Sequence, residues 1–517
     1  MQLRPYQTQI IDSIRRELVD GNRHILMGAA TGAGKSIMLK HIIDGAVSKD
    51  KRVTLVAPRR KLIYQLFKTL DRPGAVSVTM GSDGAYDGRL PIQLASSDSL
   101  RNRLKKHGKD YLGKMDIILM DEAHIGHNGK TYKLLRELYG DAIWISVSAT
   151  PIDELGYRLD GYDKTIYDFQ TEDLIGLGYL TPVECYAPIK PDLSSVHIQA
   201  GDYNIQELES IMDDSAITSN AFEVWNKHAS DKKTMIFCVS IAHAETIKKE
   251  FESHGIATGI GHSNMDEKEE DTYVADFSSG KIQVLINVMK YTAGYDEPTV
   301  ECLLLLRPTK SLRLAIQITG RGIRISPETG KDSCLILDCA NVIETTGYPT
   351  ARRNFNREKP PKGKKRKPPE IIEGVSCDNC DHIIDPTKRH KEVNETAESI
   401  QTTFRCPFCN SIMSVNVINK REMELQKIEE KQKEMDEKTV YYHKMTNQFG
   451  GYKELQKLGR KAGYKNGWAW IQSKAISEHD LWPFAAQVFQ RVEGMGLPPT
   501  QAISEIHEKI KELQSVS

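Results

Sequence analysis

The chain carries no net charge and no long apolar run. Its 70 Lys and Arg residues balance 70 Asp and Glu residues. A balanced total does not exclude a polyanionic partner, because a basic groove acts locally and is hidden by the sum. No apolar run approaches the ~18 residues that a membrane span requires. The longest, Val300–Leu306, is broken by Glu301 and reads as a buried strand. The opening Met1-Gln2-Leu3-Arg4-Pro5-Tyr6-Gln7 lacks a charged head followed by an apolar stretch, so no secretory leader is expected. Nine cysteines in 517 residues are too few for a disulfide scaffold. Cys185, Cys238, Cys302, Cys334 and Cys339 have apolar neighbours and read as small buried hydrophobes. The other four come in two pairs.

What is present is an ordinary globular composition, 39% hydrophobic and 27% charged, in a chain too long for one core. Strand-like runs at His24–Met27, Val53–Ala57, Ile92–Ala95, Ile117–Met120 and Ile143–Val147 alternate with helical patterns such as Ser36–Val47 and Leu62–Leu70. A second alternating block has strands at Thr234–Val239, Thr258–Ile260, Val284–Val288, Glu301–Leu306 and Cys334–Leu337. Such alternation predicts parallel sheets covered on both faces. The expected order is a first lobe at 1–170, a connection at 171–228 and a second lobe at 229–345. A basic linker at 346–374, a cysteine module at 375–416 and a helical region at 417–517 follow. Ala351–Glu370 is dense in Lys, Arg and Pro and reads as a linker. Lys362–Lys367 within it is open to three readings: solvated linker, phosphate contact or nuclear address.

Thr31-Gly32-Ala33-Gly34-Lys35-Ser36 follows a strand and opens a helix, the context of a phosphate-binding loop. Its backbone N–H groups and the helix N-terminus favour phosphate oxygens. Lys35 would reach the outer phosphates of ATP, and Ser36 would hold magnesium. The strand Ile117–Met120 runs into Asp121-Glu122-Ala123-His124. Asp121 is placed to order magnesium through water, and Glu122 to polarise the attacking water. His124 is expected to link this site to the second lobe.

These motifs and their order resemble a superfamily-two helicase of the DEAH-box type, in the group that includes type I and type III restriction motors, and within it the RadD-like proteins. Residues 1–345 carry the resemblance, which implies a fold of two tandem RecA-like α/β lobes. Leu3-Arg4-Pro5-Tyr6-Gln7 resembles the adenine-recognising opening, implicating Arg4 and Gln7. Ala57–Leu62 and Ala95–Leu100 resemble strand-contacting motifs, and Ser148-Ala149-Thr150 the motif that couples hydrolysis to lobe movement. Thr292–Pro298 resembles motif V, implicating Gly294 and Asp296 at the nucleotide. Its Tyr295 stands where the family more often has Phe. Gln317-Ile318-Thr319-Gly320-Arg321-Gly322-Ile323-Arg324 closes the set. Arg321 and Arg324, three residues apart, would offer charge to the transferring phosphate, with Gln317 on the same segment.

Cys377-x-x-Cys380 and Cys406-x-x-Cys409 read as a closed, structural zinc site, with a redox dithiol as the alternative. His382 or His390 is open as a replacement ligand across the long spacer. The resemblance implies a zinc module at this place as well. The function so implied is a DNA helicase or translocase driven by ATP and magnesium, serving repair or recombination. Its track would be single-stranded or forked DNA, and single-strand-binding or recombination proteins are expected partners, with no membrane. The expected location is cytoplasmic, in a bacterium or in the host of a phage. An RNA track, a restriction motor with a nuclease partner, and a recruitment module that uses ATP only as a switch stay open.

Overall fold

The computed structural model describes residues 2–360 apart from 73, 82–84, 128, 154–155, 200, 214 and 292–294. It also describes 374–377, 379–385, 392–395, 399–419, 488, 504–505 and 508. The expected helical region beyond 419, the core of the basic linker at 361–373, His390 and Gly294 lie outside the described residues.

The first lobe is built on one parallel sheet. Its strands are β1 (His24–Gly28), β2 (Val53–Ala57), β3 (Val76–Thr79), β4 (Ile92–Ser96), β5 (Ile117–Met120), β6 (Ile143–Ser148) and β7 (Lys164–Ile166). They lie in the order β3-β4-β2-β5-β6-β1-β7. All residues of β2 and β4 are buried, which is why these strands read as continuous apolar runs rather than as alternating ones. Helices Pro5–Val19, Lys35–Val47, Arg60–Leu70 and Ser97–His107 connect or flank them. The phosphate loop leaves the C-terminal end of β1, and Asp121 leaves that of β5. These are the strand ends where an open α/β sheet offers its crevice.

The second lobe repeats the plan. After β8 (Val183–Tyr186) and the short ribbon β9 (Ile198–Gln199) with β10 (Asp202–Tyr203) come β11 (Thr234–Cys238), β12 (Thr258–Gly261), β13 (Val284–Asn287), β14 (Cys302–Leu306) and β15 (Cys334–Asp338). The cysteine segment supplies β16 (Val375–Ser376) and β17 (His382–Ile384). The sheet order is β12-β13-β11-β14-β15-β8-β17-β16. The ten strands read from the sequence are present, each within one residue of the expected limits. The cysteines expected as buried hydrophobes are buried.

Two segments depart from the sequence reading. The stretch expected as a connection contributes β8, which pairs parallel with β15. β17 then pairs antiparallel with β8, so the cysteine segment is joined to the lobe's own sheet. The stretch expected as a linker is packed through its first part. Phe355 is buried, with its ring 4.7 Å edge-to-face from Tyr167. Arg353 exchanges two 2.8 Å hydrogen bonds with the Gln170 side chain. Arg357 lies over the Tyr157 ring, and Lys359 pairs with Asp153 at 3.3 Å and Asp160 at 2.5 Å. The reason is that a basic strap buries its aliphatic stems when acids on the receiving surface neutralise its heads. The strap thereby ties the exit of the second lobe back to the first.

The chain divides into two compact units, Met1–His390 with Arg405–Met413, and Lys391–Phe404 with Ser414–Ser517. In the latter, Glu392–Glu395 pairs antiparallel with residues Ile400–Thr403. Among the described residues no helix is long and apolar enough to cross a membrane.

Phe355→Ala is expected to lower stability by about 3 kcal/mol, the usual cost of emptying an aromatic site. Denaturant titration should show the first unfolding transition moved to lower denaturant. A shift worth less than about 0.5 kcal/mol, the scale of a neutral surface change, would mean that the strap is not part of the fold.

Candidate nucleotide site

The phosphate loop folds as its glycines dictate. Gly32 has φ +85°, and a Cβ added there would sit 2.9 Å from Leu180 and 3.3 Å from Arg324. Both neighbours belong to segments beyond the first lobe's sheet, so the loop is pressed from that side. Lys35 opens the following helix, and its Nζ lies 3.5 Å from the Ala29 carbonyl. Burial lowers the Lys35 pKa, against the opposing pull of the Glu122 and Asp121 carboxylates.

Asp121 and Glu122 stand together at the end of β5. Burial raises the Asp121 pKa first, and the neighbouring Glu122 charge adds to it. Glu122 takes φ +48°, a conformation that costs a non-glycine residue about 1–3 kcal/mol and persists where its surroundings impose it. Its N–H donates to Asp121 Oδ1 at 2.9 Å, and its carbonyl accepts from Ile125 at 2.9 Å. Its Oε2 is buried without a hydrogen-bond partner, with His124 Nδ1 3.4 Å away. A buried carboxylate oxygen with only that long contact is incompletely satisfied, which fits an atom able to accept from a bound donor such as water.

The second lobe completes the cavity. Gly320 packs so closely that an added Cβ would lie 2.3 Å from Thr31 Cβ. One residue on, Arg321 Nη1 donates to the Tyr295 carbonyl, and Arg324 Nη1 donates to the same oxygen at 3.0 Å. Arg324 also pairs with Asp296 at 2.7 Å. Burial disfavours the Arg321 charge, and the adjacent Arg324 guanidinium adds to that. The resulting cavity, about 250 Å³, is lined by Arg4, Thr31, Gly32, Gly34, Lys35 and Ser36 from the first lobe. Asp121, Glu122, Asp296, Arg321 and Arg324 line it too. A basic loop and two arginines facing two carboxylates fit a triphosphate with its magnesium.

Three expected residues stand behind the cavity. Gln7 is occupied by the loop: its Oε1 accepts from the Arg4 N–H at 2.9 Å and its Nε2 donates to the Ala33 carbonyl at 3.0 Å. Ala33 is buried. The Gln317 amide meets His124 Nε2 at 2.7 Å instead of the cavity. With that amide donating, the His124 ring carries its proton on Nδ1, facing Ser148 Oγ at 2.8 Å. Burial draws the His124 pKa down to about 4, which keeps the ring neutral. Arg313 donates to the His124 carbonyl at 3.2 Å. His124 therefore bridges the lobes, as its sequence position suggested.

Tyr179 was not legible in advance. It lines the cavity beneath Arg4, whose guanidinium carbon lies 5.0 Å from the ring centre. It sits in the stretch taken for a connection, where an isolated tyrosine carries no signal.

At the other end of the second lobe's sheet, the four paired cysteines meet. All their sulfurs lie within 4.8 Å of one another. Cys377 to Cys409 spans 3.6 Å and Cys380 to Cys406 spans 3.7 Å. A tetrahedron with metal–sulfur bonds of about 2.3 Å has edges of about 3.8 Å. Hydrogen bonding from Ser411 draws the Cys409 thiol down to about 5, whereas burial pushes the Cys380 thiol up to about 12 and raises Cys406. His382 Nδ1 lies 3.3 Å from Cys380 Sγ, beside the cluster.

Comparison with known proteins agrees with this architecture. The type III restriction enzyme res-subunit family matches residues 1–153, and the helicase conserved C-terminal domain matches residues 216–326. A 51.5 kDa protein of a Lactococcus phage is 28% identical over 353 residues, covering 68% of this chain and 73% of that protein. The Saccharomyces cerevisiae protein named "Putative ATP-dependent helicase IRC3" is 29% identical over 361 residues, covering 65% of this chain and 51% of its own length. This chain thus spans about half of that relative. The fold is shared with a fragment of an HsdR-type subunit of a type I restriction enzyme from Vibrio vulnificus, with a TM-score of 0.52 at 20% identity, covering 73% of this chain and 70% of that one. The chain thus carries a res-subunit domain followed by a helicase C-terminal domain, and it is similar to superfamily-two helicases related to the motor subunits of restriction enzymes.

Proposed function

We propose that this protein is a nucleic-acid-dependent ATPase that translocates on or unwinds DNA, in repair or recombination. One observation carries the reading: a phosphate loop and acidic pair from one lobe share a cavity with two arginines from the other. Bound ATP with magnesium supplies the phosphoanhydride to be cleaved and the metal charge. Lys35 and the loop N–H groups hold the outer phosphates, and Ser36 and Asp121 hold the metal. Glu122 Oε2 takes the proton of the attacking water, and Arg321 and Arg324 neutralise charge at the transferred phosphate. Arg4 holds the base end, Gln7 braces Arg4 and the loop from behind, and Asp296 positions Arg324. His124 and Gln317 carry the state of the site across the seam. Kinship with restriction-enzyme subunits favours DNA over RNA as the track. An ATP switch without turnover has less support, because the acid and both arginines are intact.

Steady-state ATP turnover is expected to rise with DNA, and Glu122→Gln is expected to lower it by about 10²–10⁴-fold, the range for loss of a general base. Arg321→Ala should cost about 10³-fold or more. Stimulation by RNA alone would move the track to RNA. ATP binding without turnover under every condition would favour the switch.

We infer further that the four thiolates hold one structural zinc, fastening the cysteine segment against the second lobe's sheet edge. The donor set and the convergence of all four sulfurs, with two pairs at 3.6 and 3.7 Å, support it. Elemental analysis is expected to give one zinc per chain, and a thiol reagent should label the four positions only after chelation. Clearly substoichiometric zinc with all four thiols reactive would contradict the reading and favour a redox dithiol.

A further inference from the structure

A second cavity, about 280 Å³, opens between the lobes on the far side of His124. It is lined by His124, Asp202, Arg307, Ser311, Arg313 and Gln317. None of the nucleotide-site groups uses it, apart from the bridging pair His124 and Gln317.

Arg307 is the feature that calls for a ligand. It follows β14 and is 7% exposed. Its Nη1 donates to the Val239 carbonyl at a long 3.4 Å, and its Nε is buried without a partner. A buried guanidinium carries a fixed charge and five N–H donors, so leaving it this poorly satisfied is costly. The carboxylate of Asp202 faces it but is already engaged, accepting from Thr309 Oγ1 and from the Lys310 N–H at 2.7 Å each. The same wall contains the N-terminus of the helix Leu312–Gly322, where Ser311 is the cap. Ser311, Arg313 and Leu314 of this helix start line the cavity, and although the Ser311 hydroxyl caps the Leu314 N–H, the positive end of the helix lies beside it. A poorly satisfied buried arginine and a helix N-terminus lining one cavity describe a receptor for a tetrahedral oxyanion.

We propose that this cavity receives a backbone phosphate of the nucleic-acid strand, held by Arg307 and the N-terminus of the helix Leu312–Gly322. The proposal rests on the reading of the protein as a nucleic-acid-dependent ATPase. The bound phosphate sits against the helix that carries Gln317, Gly320 and Arg321 on its length. Strand occupancy therefore fixes the segment that delivers the arginine to the nucleotide, and Arg307 acts as a strand-sensing residue rather than a catalytic one. Inorganic phosphate released by hydrolysis has the same chemistry, and the test separates the two sources.

The full-length protein is assayed for ATP turnover against a thirty-nucleotide single strand at several salt concentrations, with Arg307→Lys, Arg307→Gln and Asp202→Asn beside the wild type. Arg307→Gln is expected to leave strand-free turnover within about twofold. It should raise the strand concentration for half-stimulation by about tenfold, the scale of one charge-assisted phosphate contact, and reduce the salt slope by about one. Arg307→Lys should lie between the two. Asp202→Asn removes a competing carboxylate and should lower the half-stimulating concentration, which keeps the test decisive if an Arg307 variant fails to fold. Unchanged strand dependence in Arg307→Lys, Arg307→Gln and Asp202→Asn, with wild-type stimulation intact, would overturn the proposal alone. A changed inhibition by inorganic phosphate with strand affinity intact would also overturn it, in favour of a product-release site. A wild type that no strand stimulates would remove the ATPase-motor reading and this proposal together.

Discussion

The contact between Gly320 and Thr31 is the constraint on which the rest of the site depends. A single added carbon would have to occupy space 2.3 Å from the threonine Cβ, so only hydrogen permits this approach. The approach sets where Arg321 stands, one residue along the same helix, and where Gln317 stands, one turn earlier. It also sets the reach of Arg324 across Gly32. The phosphate loop and the arginine segment therefore cannot be tuned separately. Either the helix seats on the loop and all these groups arrive together, or the cavity has only its first-lobe half.

Other bonds across the seam reinforce the closed arrangement without requiring it permanently. Glu270, buried on the second lobe, pairs with Lys290 at 2.7 Å and with Lys61 of the first lobe. Arg59 donates to the Lys290 carbonyl at 3.3 Å. Separating the lobes strands a buried carboxylate with one lysine fewer, a cost that water entering the gap partly offsets. A ligand that touches both lobes shifts such an equilibrium only by its difference in affinity for the two states. A triphosphate reaching Arg321 and Arg324 has that difference, and a diphosphate reaching only the loop has less. Directed work would come from this asymmetry.

Much of this was legible in the chain itself. Central parallel strands such as β2 and β4 are buried on both faces, so they announce themselves as short unbroken apolar runs. The phosphate loop and Asp121-Glu122 are local, because their chemistry needs fixed spacing at a strand end. What escaped depends on tertiary partners. β8 reads as ordinary sequence until β15 and β17 flank it. The strap was hidden because Phe355 is one aromatic among cations, and its burial depends on Asp153, Asp160 and Gln170 far upstream. Tyr179 and Arg307 acquire meaning only from the cavities they face. Gln7 and Gln317 illustrate the converse: motif resemblance located them, but the structure engages their amides with the loop backbone and with His124 rather than exposing them to the nucleotide cavity.

Whether one nucleotide completes its site by drawing the lobes together is tested most directly by the distance between them. Fluorescent labels at the exposed residues Lys49 on the first lobe and Lys281 on the second would report it by single-molecule energy transfer. A narrow short-distance population is expected with a non-hydrolysable ATP analogue and magnesium, and a shift toward longer distances with ADP. Gly320→Val is expected to abolish the short-distance population while ATP still binds. An interlobe distance that is the same with ATP analogue, with ADP and in Gly320→Val would contradict closure of the lobes on the nucleotide.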